Sequence, residues 1–176
     1  RALLGALRVW LVRASLMPMV WLAEREVRGE RELRRLGVDH RYVPLLTTIP
    51  GIAWVLGYTI ASEIGDIARF SSPRKLVGYT GLTPRVEQSG ERDRRGPLRK
   101  NGPNYLRWAL IEAAHTAGRD PRYRPIVERM RARHGRTRGS KIAAIEIGRR
   151  LTEAIWHMLT HDRPFAPAGA PTPLAA

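Results

Sequence analysis

A serine–glycine pair, Ser89-Gly90, stands in a highly charged stretch between residues 84 and 102, where six basic residues outnumber three acidic ones. A serine hydroxyl becomes a nucleophile only when a base takes its proton or nearby groups stabilise the developing charge. Arginines on both sides of Ser89 could hold a phosphodiester, and glycine would leave the hydroxyl unshielded. The pattern therefore favours attack on phosphate over attack on a carbonyl, with a simple solvated turn as the alternative. The basic residues are Arg85, Arg92, Arg94, Arg95, Arg99 and Lys100.

Other catalytic chemistries find little support in the sequence. The GxSxG signature of a hydrolase nucleophile is missing, and no carboxylates are spaced for a two-metal site. Glu63 and Asp66 are three apart, but Asp66 is better explained as a helix cap. The chain has no cysteine, which excludes disulfides and thiolate metal sites. The five histidines are scattered and suggest no metal cluster: His40, His115, His134, His157 and His161.

A second basic stretch lies between residues 119 and 141, with nine Arg or Lys against two acidic residues. A helix predicted over 121–134 would align Arg122, Arg129 and Arg133 on one stripe, because residues three or four apart share a face. We predict that these arginines follow a phosphate backbone, and a merely solvated face is the alternative.

The stretch "IPGIAWVLGYTIASEIGD", residues 49–66, has the pattern of a helix-hairpin-helix element. A glycine in the hairpin would let the backbone approach DNA, and free N–H groups at the next helix start would point at a phosphate. We therefore predict DNA-backbone contacts at Gly51, Ile52 and Ala53, the last of which replaces the usual second glycine. An ordinary helical corner is an equally good interpretation of this motif alone.

The elements that must position these residues are mainly helices. Apolar periodicity and punctuation predict a mainly α fold, with a helix-hairpin-helix at about 46–66 and an irregular or short hairpin region at 80–102. Further helices are predicted over 73–79, 103–117, 121–134 and 141–160, with "HGRTRGSK" as a loop.

The chain divides into three predicted parts: a helical arm at 1–41, a domain at 42–165 and a disordered Pro/Ala-rich tail at 166–176. Arg8 and Arg13 interrupt the apolar start, which argues against a membrane span or a secretion signal. The formal net charge of +15 and the pI near 11.5 indicate a nucleic-acid partner, with an anionic membrane as the competing interpretation. We expect a cytoplasmic, nucleoid-associated protein, and the absence of cysteine is compatible with a reducing cytosol.

Several ordered blocks resemble one family. The order "LTTIPGI…IASEIGDIARFSSPRKLVGYTGLTPRVEQSG…RRGPLRKNGPNYLRWALIEAA" is similar to the C-terminal domain of DEDD-type insertion-sequence transposases, the insertion-sequence one-ten family of bridge-RNA-guided recombinases. The closing "KIAAIEIGRRLTEAIWHMLTHDRPF" resembles that family's last helix and its terminal Arg-Pro-Phe. The resemblance covers roughly residues 44 to 165.

The resemblance implies a function in DNA transposition and site-specific recombination. Ser89 matches the position of the family's nucleophile, which forms a covalent phosphoserine link with DNA. An acidic tetrad on a separate RuvC-like domain would hold Mg²⁺, a structured guide RNA would pair with DNA, and the full-length protein would form a homo-oligomer. No cofactor is expected on these 176 residues themselves.

The resemblance also has departures. The RuvC-like domain and its carboxylates are missing from the sequence, and the first 40 residues match the family poorly. We therefore expect a truncated copy that is inactive alone. The main alternative is a non-catalytic helix-hairpin-helix DNA-binding module, and a protein that binds RNA or a membrane surface is a third interpretation.

Overall fold

The structure, a computed structural model, describes residues 2–89, 92–98 and 101–166, and it divides into two units at Val38/Asp39. The first unit is one helix, α1 (Ala2–Gly37), which continues through Pro18. Its C-terminal half carries the opposite charges expected of a solvated helix, including an Arg35–Glu32 ion pair. Pro18 therefore does not divide this segment into two helices. No helix of the described residues is long and apolar enough to span a membrane.

The second unit starts at Asp39, and its described residues form six helices and one β-hairpin, so the prediction of a mainly helical fold is confirmed. A 3₁₀ turn at Ile67–Arg69 lies between the third and fourth helices, and Asp66 caps it by accepting a hydrogen bond from the N–H of Ala68 at 3.0 Å. In chain order the elements are α2 (Val43–Leu46), α3 (Trp54–Ile64), α4 (Pro73–Thr80), β1 (Pro84–Ser89), β2 (Arg92–Leu98), α5 (Asn104–Ala117), α6 (Arg124–His134) and α7 (Arg136–His161).

Helix α7 is the centre of the core and packs against α4, α5 and α6. Its buried side chains recur every three or four residues, which is the spacing that keeps them on one face. Helix α5 meets it with a face rich in alanine, and small side chains let two helix backbones come close together. The buried apolar residues of α7 are Ala143, Ala144, Ile147, Leu151, Ile155, Met158 and Leu159.

Two helix starts differ from the sequence predictions. Helix α6 begins at Arg124 rather than near 121, with Pro125 in its first turn, where proline is tolerated. Helix α7 begins at Arg136 rather than near 141, directly after Gly135 with its positive φ of 80°. Gly139 was part of the predicted loop, but it lies inside α7 against the backbone of Met130, where a side chain would overlap the neighbouring helix. Close packing between α6 and α7, rather than a loop, therefore explains this glycine.

The two ends of the β-hairpin are joined at one tight backbone crossing. Gly102, which follows β2, lies against the end of α4, which precedes β1. A Cβ atom at position 102 would overlap the carbonyl oxygen of Tyr79 and lie 2.7 Å from the carbonyl carbon of Thr80. Arg107 of α5 adds a hydrogen bond from Nη1 to the Gly102 carbonyl oxygen at 3.2 Å. The base of the hairpin is thereby attached to both α4 and α5.

We predict that Gly102→Ala destabilises the protein by about 3 kcal/mol, because the backbone must shift to accept the methyl group. The matched control is Gly78→Ala, since Gly78 lies on the exposed side of α4 with nothing within 4 Å of an added Cβ. Alanine there is expected to stabilise the helix by about 0.5–1 kcal/mol. Urea unfolding measures the change in free energy of unfolding for both variants. Equal effects of the two substitutions would contradict the close contact between Gly102 and the end of α4.

Candidate nucleic-acid interface

Ser89 is the last residue of β1, at the turn end of the β-hairpin. Strands β1 and β2 are antiparallel, and Ser89 stands in register with Arg92. An irregularity between Pro84 and Val86 interrupts the pairing near the base. Of the predicted basic residues in this region, Arg85, Arg92, Arg94 and Arg95 belong to the two strands, whereas Arg99 and Lys100 lie outside the described residues. The backbone therefore places Ser89 and these four arginines in one hairpin.

The turn between α2 and α3 carries the three residues of the predicted hairpin motif. Gly51 has a φ of 89°, and a Cβ atom there would lie 2.5 Å from the carbonyl oxygen of Ala113 in α5. Its need for glycine thus arises from packing inside the protein. Ile52 is 4% exposed and its N–H donates to the carbonyl of Ile49 at 3.1 Å, so neither group is available to DNA.

Ala53 is the residue of the motif that faces solvent. It precedes α3 in an extended conformation, and no side chain caps the start of the helix. The first N–H groups of a helix have no partner within it, and they carry the positive end of the helix dipole. The exposed start of α3 therefore directs the positive end of its dipole towards solvent, which is the part of the predicted contact that the geometry leaves open.

The three arginines predicted on α6 have different surroundings. Arg129 and Arg133 are exposed on the helix, and within the described residues neither side chain forms a hydrogen bond, an ion pair or a ring contact. Arg122 precedes the helix and binds Asp120 through two side-chain hydrogen bonds of 2.7 Å each. Arg129 and Arg133 are therefore free to meet phosphates, whereas Arg122 is already engaged within the protein.

Arg122 also connects the loop before α6 with the C-terminal segment. Its guanidinium lies over the ring of Phe165, 5.1 Å from the centroid. The N–H of Phe165 donates to Oγ1 of Thr48 in the α2–α3 turn at 2.9 Å. No local sequence pattern indicates this connection, because the residues are distant in the chain. An open cavity of about 740 Å³ lies beside it, lined among others by Arg122, Arg150, His157, His161, Arg163 and Phe165.

The ion pair with Arg122 changes the acidity of Asp120. Hydrogen bonds from the Arg122 side chain and backbone hold the pKa of this carboxyl at about 2, below its ordinary value of 3.8. Elsewhere in the described ranges, no group of three or more His, Asp or Glu side chains is placed to hold a metal ion.

Comparison with known proteins gives one family match, described as "Transposase IS116/IS110/IS902 family", over residues 43–128. A putative transposase of Sinorhizobium fredii is 39% identical over 77 residues, which are 44% of this chain and 20% of that protein. A pilin gene-inverting protein of Moraxella bovis is 34% identical over 131 residues, 73% of this chain and 39% of that protein.

An uncharacterised protein of insertion element IS116 from Streptomyces clavuligerus is 28% identical over 149 residues, 84% of this chain and 36% of that protein. The chain thus spans well under half the length of each of these three relatives. The matched segment 43–128 includes the α2–α3 turn and the whole β-hairpin with Ser89.

The lowered pKa of Asp120 predicts a pH dependence of stability. The folded state favours the ionised carboxylate, so its contribution is complete above about pH 4 and is lost as the pH falls through about 2. Asp120→Asn removes this contribution at every pH. The difference in free energy of unfolding between wild type and variant should therefore shrink between pH 4 and pH 2. Urea unfolding across this range tests it, and a difference that stays constant would contradict the ion pair.

Proposed function

Because residues 43–128 match the transposase domain of the IS116/IS110/IS902 family, we propose that this chain acts in DNA transposition or site-specific recombination, with Ser89 as the nucleophile. The observation that carries the proposal is the position of Ser89 at the turn end of a basic β-hairpin inside the matched segment. The tight crossing at Gly102 supports it further, since a nucleophile needs a rigid base to reach one phosphorus atom reproducibly.

The proposed step is a transesterification. Oγ of Ser89 attacks the phosphorus of a DNA phosphodiester, a new Oγ–P bond forms, and the P–O bond to one sugar oxygen breaks. The serine proton passes to a general base, and the departing sugar oxygen receives a proton. The energy of the phosphodiester is retained in the phosphoserine link, so a second sugar hydroxyl can reverse the step and join a new strand.

The arginines of the hairpin would stabilise the negative charge that develops on the phosphate oxygens in this step. Their guanidinium groups present paired N–H donors that match two phosphate oxygens at once. Strand residues Arg92, Arg94 and Arg95 directly follow the turn, which keeps them close to Ser89 along the backbone. This arrangement supports phosphate chemistry better than acyl transfer.

For the full-length recombinase, we propose that Mg²⁺ is held by the carboxylates of a RuvC-like domain, that a structured RNA guides the choice of DNA, and that the protein acts as a homo-oligomer. The pilin gene-inverting relative supports recombination as the reaction class. The described part of this chain would then supply the nucleophile and contacts to the DNA backbone.

A second candidate function is DNA-backbone binding without chemistry. The exposed, uncapped start of α3 at Ala53 favours it, because such a helix start binds a phosphate without any nucleophile. Both functions require binding that weakens with salt, and only the first one forms a covalent protein–DNA adduct. Adduct formation therefore separates them.

The nucleophile is tested by Ser89→Ala within the full-length recombinase, with Ser71→Ala, an exposed serine outside the hairpin, as the control. We expect denaturation-resistant protein–DNA adducts from wild type and from the Ser71 variant, and none from the Ser89 variant. The assay uses nicked element DNA with magnesium and the element's RNA, and mass spectrometry locates the modified residue. Adducts at wild-type levels in the Ser89→Ala variant would show that another residue is the nucleophile.

The phosphate contacts of α6 are tested by the double variant Arg129→Gln/Arg133→Gln. If both arginines meet phosphates, the slope of log affinity against log salt should decrease by about 0.9 for each contact. The matched control is Arg35→Gln/Arg124→Gln, which removes the same charge from arginines that are already paired with Glu32 and Glu128. Fluorescence anisotropy with duplex DNA at several salt concentrations measures the slopes, and equal slopes for the two double variants would contradict the contacts.

A further inference from the structure

Two large aromatic side chains are exposed at the start of α5. Tyr105 is 70% exposed and Trp108 is 47% exposed, although aromatic side chains of this size usually bury most of their surface. Within the described residues neither ring contacts another ring, accepts a cation or forms a side-chain hydrogen bond. Both rings are therefore accessible to a partner on their exposed sides.

The two rings lie on the same face of the helix. They are three residues apart, whereas Leu106, Ala109 and Leu110 between and beside them point into the core. Residues three apart on a helix are neighbours on its surface, and packing on the opposite face holds the helix in place. The two rings together form an aromatic platform for flat groups.

The start of α5 is held at the base of the β-hairpin. Arg107, between the two aromatic residues, donates to the Gly102 carbonyl at 3.2 Å and also binds the side chain of Asn104. Gly102 in turn lies against the end of α4, immediately before β1. The platform and the strand that ends at Ser89 are therefore attached to the same backbone crossing.

We propose that Tyr105 and Trp108 stack against unpaired bases of the DNA strand that is bound at the hairpin. This inference rests on the proposed function, since strand cleavage and exchange expose bases that a duplex keeps stacked. Exposed aromatic side chains next to cationic ones are the usual means of binding single strands, because every base has a flat face to stack on. The net charge of +15 and the arginines of the adjoining hairpin match the phosphates that accompany those bases.

The charge around the pair favours nucleic acid over another protein surface. Tyr and Trp are enriched in protein interfaces too, so the aromatic character alone does not decide, whereas the net charge of +15 matches phosphates. Leucine variants test for base stacking, because they keep the apolar surface and the helix propensity but remove the flat faces.

The test compares two single-stranded oligonucleotides of equal length and charge, one with thymine bases and one with abasic sites, by fluorescence anisotropy with the 176-residue chain. We expect wild type to prefer the base-bearing strand by about tenfold or more, from the usual strength of base–aromatic stacking. Tyr105→Leu/Trp108→Leu should bind both strands equally, whereas Tyr105→Phe/Trp108→Phe should retain a preference. Leu36→Ala, at an apolar side chain of α1 with 57% exposure, serves as the surface control and should behave as wild type.

The outcomes separate this inference from the proposed function. Equal binding of both strands by wild type, or an unchanged preference in the leucine variant, would overturn the platform while leaving covalent adducts at Ser89 unaffected. No binding of either strand would overturn it as well. The opposite result is a strand preference that depends on the two rings, together with a recombinase that forms no adduct at Ser89. It would support single-strand binding and overturn the role of Ser89 as the nucleophile. Thermal unfolding of each variant verifies that the helix is intact.

Discussion

The backbone crossing at Gly102 is the constraint on which the geometry of the proposed site depends. A polypeptide that leaves the core to form a two-stranded hairpin needs a fixed base, because an isolated hairpin is only marginally stable in water. Here the chain leaves after α4 and returns before α5, and the two segments touch where no side chain fits. The hairpin, the start of α5 and the aromatic pair on that helix are consequently held by the same few backbone atoms.

Arginines in this protein serve two different purposes. Some are used internally: Arg122 binds Asp120 and covers Phe165, and Arg107 closes the crossing at Gly102. Others, such as Arg129 and Arg133, are exposed without a partner in the described part of the chain. A strongly basic composition therefore does not identify the contacts with nucleic acid. The ion pairs and ring contacts show instead which arginines are already engaged within the protein, and an arginine bound to a carboxylate offers less to a phosphate.

Glycines show a similar division between internal and external purposes. Glycine at 51 suggested a close approach to DNA, and glycine at 139 suggested a loop. Both lie where a neighbouring helix comes too near for a side chain: α5 at Gly51 and α6 at Gly139. A glycine marks close approach in either case, but a sequence does not identify what approaches.

The sequence by itself determined the mainly helical class, the basic character, the motif blocks and the cap at Asp66, because these depend on periodicity, charge and local hydrogen bonding. It also indicated Ser89 through local chemistry and a family resemblance, and the role of that serine stays a prediction. Only the tertiary structure decided that Ile52 is in the core, that Arg122 is engaged and that Tyr105 and Trp108 are exposed. These facts depend on contacts between residues far apart in the chain, such as Phe165 with Thr48, and local sequence patterns contain no information about which distant segments meet.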